Sequence, residues 1–342
     1  MDRTARLATL ALLTAMVAGC GGGGSPAPAP APEPEPAPGP APAPTVAQRT
    51  AAAASAAASA ASAAASAADC VAVQPFYWSV GDASGTLGDG SVGASPPTAS
   101  TVMAIASASK MVYGAYVAEV RGGVLADTDI AALNFTSGYT DFGTCLQTQT
   151  VATCEAYGTN GVHEPANDGR FYYGGGHMER HAFDNGLAPF DNAGVANAIN
   201  ATLGTAFGYS QPQLAGGIYT TANAYGAFLQ RVVGGQLKIA GLLGAHPVCT
   251  NPSTCQTAVY TPIPTESDHY AIGHWVEDDP AAGDGAFSSP GAFGFYPWVA
   301  RGKDWWGVVA RVVVVSGEQE GVASMKCGRR IRAAWVSAAS PS

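Results

Sequence analysis

The chain has 342 residues, of which 12% are charged and 47% hydrophobic, and its formal net charge at pH 7 is -9. An acidic balance in which no Lys/Arg cluster exceeds "GRRIR" offers no phosphate-binding surface, so nucleic acid is not an expected partner. The Pro and Ala bias of the first seventy residues is set aside before the rest is judged.

The N-terminus reads as an export signal, with two arginines in "MDRTAR" ahead of the apolar "LATLALLTAMVAGC". That core is shorter than the roughly 20 apolar residues that a membrane span needs. Its end, "VAGC", resembles a bacterial lipobox. The resemblance implies a signal peptide over 1–19, lipid on the sulfur of Cys20, and a membrane partner through that anchor; an ordinary signal peptide with a chance cysteine is the alternative. Gly21 stands where an aspartate is associated with inner-membrane retention, which points to the outer membrane or periplasm of a bacterial envelope. Residues 20–69 read as tether and stalk. The Pro-alternating part extends at about 3.1 Å per residue. "AAAASAAASAASAAASAA", residues 51–68, has helix propensity without an amphipathic stripe.

The folded domain is expected over 70–338, large enough for a sizeable core. Seven cysteines less Cys20 leave six, an even number in an exported chain. Cys145 and Cys154 bracket "LQTQTVAT", Cys249 and Cys255 bracket "TNPST", and local bridges are the simplest assignment. Cys70 and Cys327 remain, and their pairing would place the two ends of the domain side by side. Free thiols are the alternative.

Within the domain, "FYWSVGDASGTLGDGSVG" reads as strand, turn and strand. Residues 109 to about 121 read as a helix stopped by Gly122-Gly123, and 124–200 as irregular. "TTANAYGAFLQRVVGG" is a second helix with Thr220 or Thr221 as N-cap. "AFGFYPWVA" and "WWGVVARVVVVSG" form a long apolar hairpin, and "EQEGVASMKCGRRIRAAW" is a closing helix. The fold class expected is α+β, with an antiparallel sheet built from both ends of the domain and a helical insertion.

Ser107 and Lys110 make an S-x-x-K pair inside a run that is otherwise small and apolar. Positions i and i+3 share a helix face, so hydroxyl and amine can touch. A lysine activates a serine only when neutral, which requires its pKa to fall by about 3 units, worth roughly 4 kcal/mol of apolar surroundings. Alone the pattern is weak, since a helix with a snorkelling lysine carries it equally well.

The longer stretch "MAIASASKMVYGAYVAEVRGGVLADTDIAAL" resembles the signature of the serine β-lactamase and penicillin-recognising family, in its class C, DD-peptidase and esterase branch. "LNFTSGYTDF" is similar to that branch's next segment, "LAGGIYTTANAYGAFLQRVVGG" to a later one, and "HYAIGHWV" to the segment leading into the sheet. The resemblance implies a β-lactamase/transpeptidase-like fold with terminal helices on the sheet and a mainly helical lobe from about residue 125 to 240. It implies Ser107 as nucleophile and Lys110 and Tyr173 as proton carriers, Tyr173 falling on the motif tyrosine of "GRFYYGGGHM" with its phenolate favoured by Lys110. Tyr172 is the competing position. The backbone N–H groups of Ser107 and Ala292 would hold an oxyanion. No metal or cofactor is implied.

Two departures stand out. Gly175 replaces an asparagine that contacts substrate amides, and Ser289-Pro290-Gly291 in "SSPGAFGFYPWV" replaces a triplet that begins with a cation or imidazole. Losing the group that binds the carboxylate of β-lactams and D-Ala-D-Ala ends favours a carboxylic ester or non-lactam amide as substrate. A DD-carboxypeptidase or β-lactamase and an inactive envelope binding protein remain open, as does the oligomeric state. His177 and His181 stand at i and i+4, a spacing that could hold a metal, but with His177 read as lining the cleft. Gly174 to Gly176 form no phosphate loop.

Overall fold

The computed structural model describes residues 43–58, 68–315 and 317–338. The signal peptide, the Cys20 lipid site, the Pro-rich tether and residues 59–67 of the alanine stretch lie outside the described residues. Among them no helix is long and apolar enough to cross a membrane.

Eight strands form one sheet: β1 (Phe76–Asp82), β2 (Gly85–Val92), β3 (Val248–Cys249), β4 (His269–Ala271), β5 (His274–Glu277), β6 (Ala286–Ser288), β7 (Tyr296–Val299) and β8 (Trp305–Ala310). Their order is β2-β1-β8-β7-β6-β5-β4-β3, with every neighbouring pair antiparallel. The N-terminal hairpin therefore meets the C-terminal one at β1 and β8, where Tyr77 faces Ala310. Cys70 and Cys327 are bonded across the same junction, and Cys145–Cys154 and Cys249–Cys255 close two local loops.

Alternation along β8 assigns the two faces of the sheet. A side chain on Gly307 would lie 2.1 Å from the Trp298 ring, and one on Gly328 of the closing helix α5 (Glu318–Ser337) would lie 2.3 Å from Tyr296. Tyr296 and Trp298 thus fill the space under α5. The adjacent Trp306 points the other way, onto Gly226 of α4 (Ala222–Val233). The helix α2 (Ser109–Val120) follows Ser107. Arg329 and Arg332 of "GRRIR" point inward and pair with Glu277, Glu266 and Asp284. Burial alone would raise the Glu277 carboxyl; Arg332 and Arg329 hold it down to about 2. These arginines lock α5 to the sheet and present no basic surface.

Three sequence expectations change. The described part of the alanine stretch packs on the domain: α1 (Val46–Ala58) belongs to the compact unit that begins at Pro44, with Ala53 and Ala57 in the main core and Ala52 and Ala56 buried beside Ala334. Arg49 Nη1 donates to Trp335 O at 3.1 Å. Methyl groups give no amphipathic stripe, yet they let two helices approach closely, which a hydropathy pattern does not report. The domain therefore starts well before residue 70.

The second change is in 124–200, which contains regular helices, among them Asn192–Leu203, capped by the Asp191 carboxylate on Gly194 N at 2.9 Å and ended by left-handed Gly204. Finally, β8 stops at Ala310, because its partners β1 and β7 run out there, and Val312, Val314 and Val315 emerge exposed.

Candidate active site

Ser107 sits in the single 3-10 turn Ala106–Ala108, which runs directly into α2. Ala106 adopts φ 44°, a left-handed conformation that costs a non-glycine residue on the order of 1 kcal/mol. The turn is held from three sides. Tyr225 of α4 donates to Ala108 O at 2.8 Å, Ser289 Oγ donates to Ser107 O at 2.9 Å, and Ile105 N donates to Ile218 O at 3.0 Å. Gly291 packs against the same turn so closely that a Cβ there would lie 2.0 Å from Ile105 O.

One helical turn on, Lys110 Nζ donates to Ser107 Oγ at 2.8 Å and to Ala215 O at 2.9 Å. It is 5% exposed, and its amine lies 5.0 Å from the centre of the Tyr173 ring and 6.0 Å from that of Phe135. Burial lowers its pKa to about 8 against the opposing charges of Glu179 and Glu318. At neutral pH roughly a tenth of such an amine is uncharged, against well under a thousandth for an exposed lysine. The Tyr173 phenol interacts with Ser107 and Trp275, but burial dominates and pushes its pKa up. It is therefore an O–H group beside the serine, and the phenolate expected from the family resemblance does not fit this pocket.

Ser107, Lys110, Tyr173 and Ala292 line one cleft of about 570 Å³, while Ser107, Tyr173, Pro290, Ala292 and Glu318 also line a narrow recess of about 20 Å³ beside it. No protein-family model matches the chain, and no curated protein matches its sequence. Solved structures do match it. A Bacteroides dorei protein named as a β-lactamase superposes with a TM-score of 0.55 at 21% identity, covering 75% of this chain and 93% of that one. A penicillin-binding-protein homologue from Caulobacter crescentus gives 0.52 at 12% identity, with 75% and 92% covered. A penicillin-binding protein from Bacillus halodurans gives 0.50 at 14%, with 73% and 95% covered.

The chain has the β-lactamase and penicillin-binding-protein fold.

Within that fold, the departures read from the sequence acquire physical causes. A side chain on Gly175 would meet the Phe142 ring at 2.8 Å, so the place of the motif asparagine is filled by an aromatic edge. Ser289 is 2% exposed and is turned onto the Ser107 carbonyl, so it braces the Ser107 turn and does not stand in the cleft as a substrate contact. Gly291 likewise contributes close packing at Ile105.

His177 is not a cleft residue. Its imidazole is fully buried between Ser137 Oγ at 2.8 Å and Tyr172 O at 3.1 Å, stacked on Phe135, and burial drops its pKa to about 3. His177 is on helix α3 (Gly176–Ala182) and is not among the residues that line the Ser107 cleft. His181 on the same helix is bound to Tyr113 and Asp129, and no group of three metal-ligating side chains occurs among the described residues.

Three residues near Ser107 and Lys110 carried no signal in the sequence. Glu179, fully buried on α3, accepts the Ala215 N–H at 3.1 Å. Tyr260 comes alongside because Ala258–Tyr260 pairs in parallel with Phe171–Tyr172, and its phenol donates to Glu318. Nothing in local spacing connects positions 173, 260 and 318; strand pairing brings the first two together and the Tyr260 hydrogen bond brings in the third.

Proposed function

We propose that this chain is a serine hydrolase acting through an acyl-enzyme on a carboxylic ester or a non-lactam amide. One observation carries the proposal: a lysine amine, buried and drawn down to about pKa 8, lies 2.8 Å from a serine hydroxyl on the strained start of a helix. Neutral Lys110 takes the Ser107 proton as Oγ adds to the carbonyl carbon. The N–H groups of Ser107 and Ala292 stabilise the oxyanion. As the bond to the leaving group breaks, the Tyr173 O–H supplies its proton and is restored from the Lys110 ammonium. Water then attacks the acyl carbon by the reverse proton path, releasing the acid and Ser107.

Solved structures of the same fold named as β-lactamase or penicillin-binding protein support the hydrolase class. The absence of a cation at Ser289 and of an amide at Gly175 favours ester or simple amide over β-lactam. Export and a lipid anchor at Cys20, on the envelope of a bacterium, belong to the same proposal.

The test pairs turnover of a p-nitrophenyl ester with covalent labelling by a fluorescent penicillin. Ester turnover without stable labelling is the expected result. Labelling without ester turnover would make the protein a DD-peptidase or β-lactamase, and neither activity would leave a binding protein.

A further inference from the structure

The cleft is almost free of charge. Among the described residues that line it, Lys110 and Glu318 alone carry ionisable cationic or acidic side chains. Lys110 is consumed by Ser107 and Ala215 O at the floor. Glu318 stands on the wall as the first residue of α5, exposed to the cavity, with a hydrogen bond from the Tyr260 phenol and no ion-pair partner among the described residues. A carboxylate in the first turn of a helix is favoured by the helix dipole wherever it occurs, so its position in α5 is not the argument. The argument is its neighbours. Glu318 shares the narrow recess with Ser107, Tyr173 and Ala292, which is the side of the scissile bond from which Tyr173 would protonate the departing group. Aromatic faces adjoin it: the Tyr260 and Tyr172 rings are 5.3 Å apart, and Phe293 lines the same cavity. A carboxylate among aromatic side chains, with no cation paired to it, repels anions and attracts an ammonium group.

We propose that Glu318 and Tyr260 form a subsite for a cationic leaving group, so that the substrates of this cleft are esters or amides whose departing alcohol or amine carries an ammonium. The inference rests on the acyl-transfer proposal above and adds the charge of the substrate to it. Ser289, buried against the Ser107 carbonyl, adds no second cation to the cleft that would pair with Glu318.

The probe pair is acetylthiocholine and its uncharged isostere S-(3,3-dimethylbutyl) thioacetate, which share an acyl group and shape and both release a thiol that is read by colour. Because Glu318 also acts on the charge of Lys110, the readout is the ratio of the two kcat/KM values, in which a change in nucleophile activation cancels. The wild-type ratio is expected to favour the cation by about tenfold or more, to approach unity in Glu318→Gln, and to recover in part in Glu318→Asp. A wild-type ratio near one, or one unchanged by Glu318→Gln, overturns the subsite while leaving acyl transfer intact. If neither thioester is hydrolysed, calorimetric titration with phenyltrimethylammonium decides. Binding lost in Glu318→Gln keeps the subsite without the chemistry; no binding, or equal binding, removes it.

Discussion

Glu179 and Lys110 are joined through the backbone of a single residue: Glu179 Oε1 accepts the Ala215 N–H at 3.1 Å, and Ala215 O accepts from Lys110 Nζ at 2.9 Å. Both side chains are buried, and burial pushes the carboxyl up to about 8 while it draws the amine down to about 8. The site thus suppresses charge on both partners, which suits a lysine that must act as a base.

A stability test follows with a definite sign. The folded-state pKa of Glu179 is raised above its unfolded value of 4.5, so its contribution is fully present below pH 4.5 and is lost as pH rises through about 8. Across that window the folded chain retains a proton that the unfolded chain has released. Glu179→Gln removes this dependence and keeps an acceptor for Ala215 N–H. The thermal midpoint of the variant should gain on the wild type between pH 5 and pH 8; a difference that stays constant across the two would contradict the buried, protonated carboxyl.

Tyr173 and Tyr172 are separated by removing each phenol in turn. Tyr173 is 8% exposed and touches Ser107, whereas Tyr172 pairs its ring with Tyr260. Tyr173→Phe should lower kcat/KM for a neutral p-nitrophenyl ester by about 10²–10⁴-fold, the usual loss for a proton-transfer group, and Tyr172→Phe should stay within about tenfold of the wild type. The opposite ranking would move the proton relay to Tyr172.

The placement of α1 makes a prediction that a stalk would not. Ala56 is fully buried against the helix carrying Ala334. Ala56→Leu overpacks that interface and should cost about 1–3 kcal/mol, seen as a lower melting temperature. No change in melting would return the alanine stretch to the tether.

What was legible in the sequence was local or periodic. The Ser107–Lys110 contact follows from i,i+3 geometry, α4 begins at Thr221 because its hydroxyl can accept Ala224 N, and β7 and β8 carry alternating bulk around a polar turn. What was hidden depends on partners far along the chain. Alanines on α1 became core only once α5 lay beside them. His177 left the cleft because Ser137 and the Tyr172 carbonyl claim its two nitrogens. Glu179 is buried with its oxygen on the Ala215 N–H, a partner thirty-six residues away that no local pattern announces. A buried carboxyl group is the least expected outcome of a charge-poor pattern, and it lies one residue's hydrogen bonds from Lys110.

The most direct test of the account is the pH dependence of Ser107 phosphonylation by a fluorophosphonate, followed by intact mass. The serine oxygen displaces fluoride, and its proton passes to Lys110, so the rate should rise about tenfold per pH unit and level off above the lysine pKa near 8, with no labelling of Ser107→Ala. Wild-type protein that does not label, or Ser107→Ala that labels equally, would contradict it.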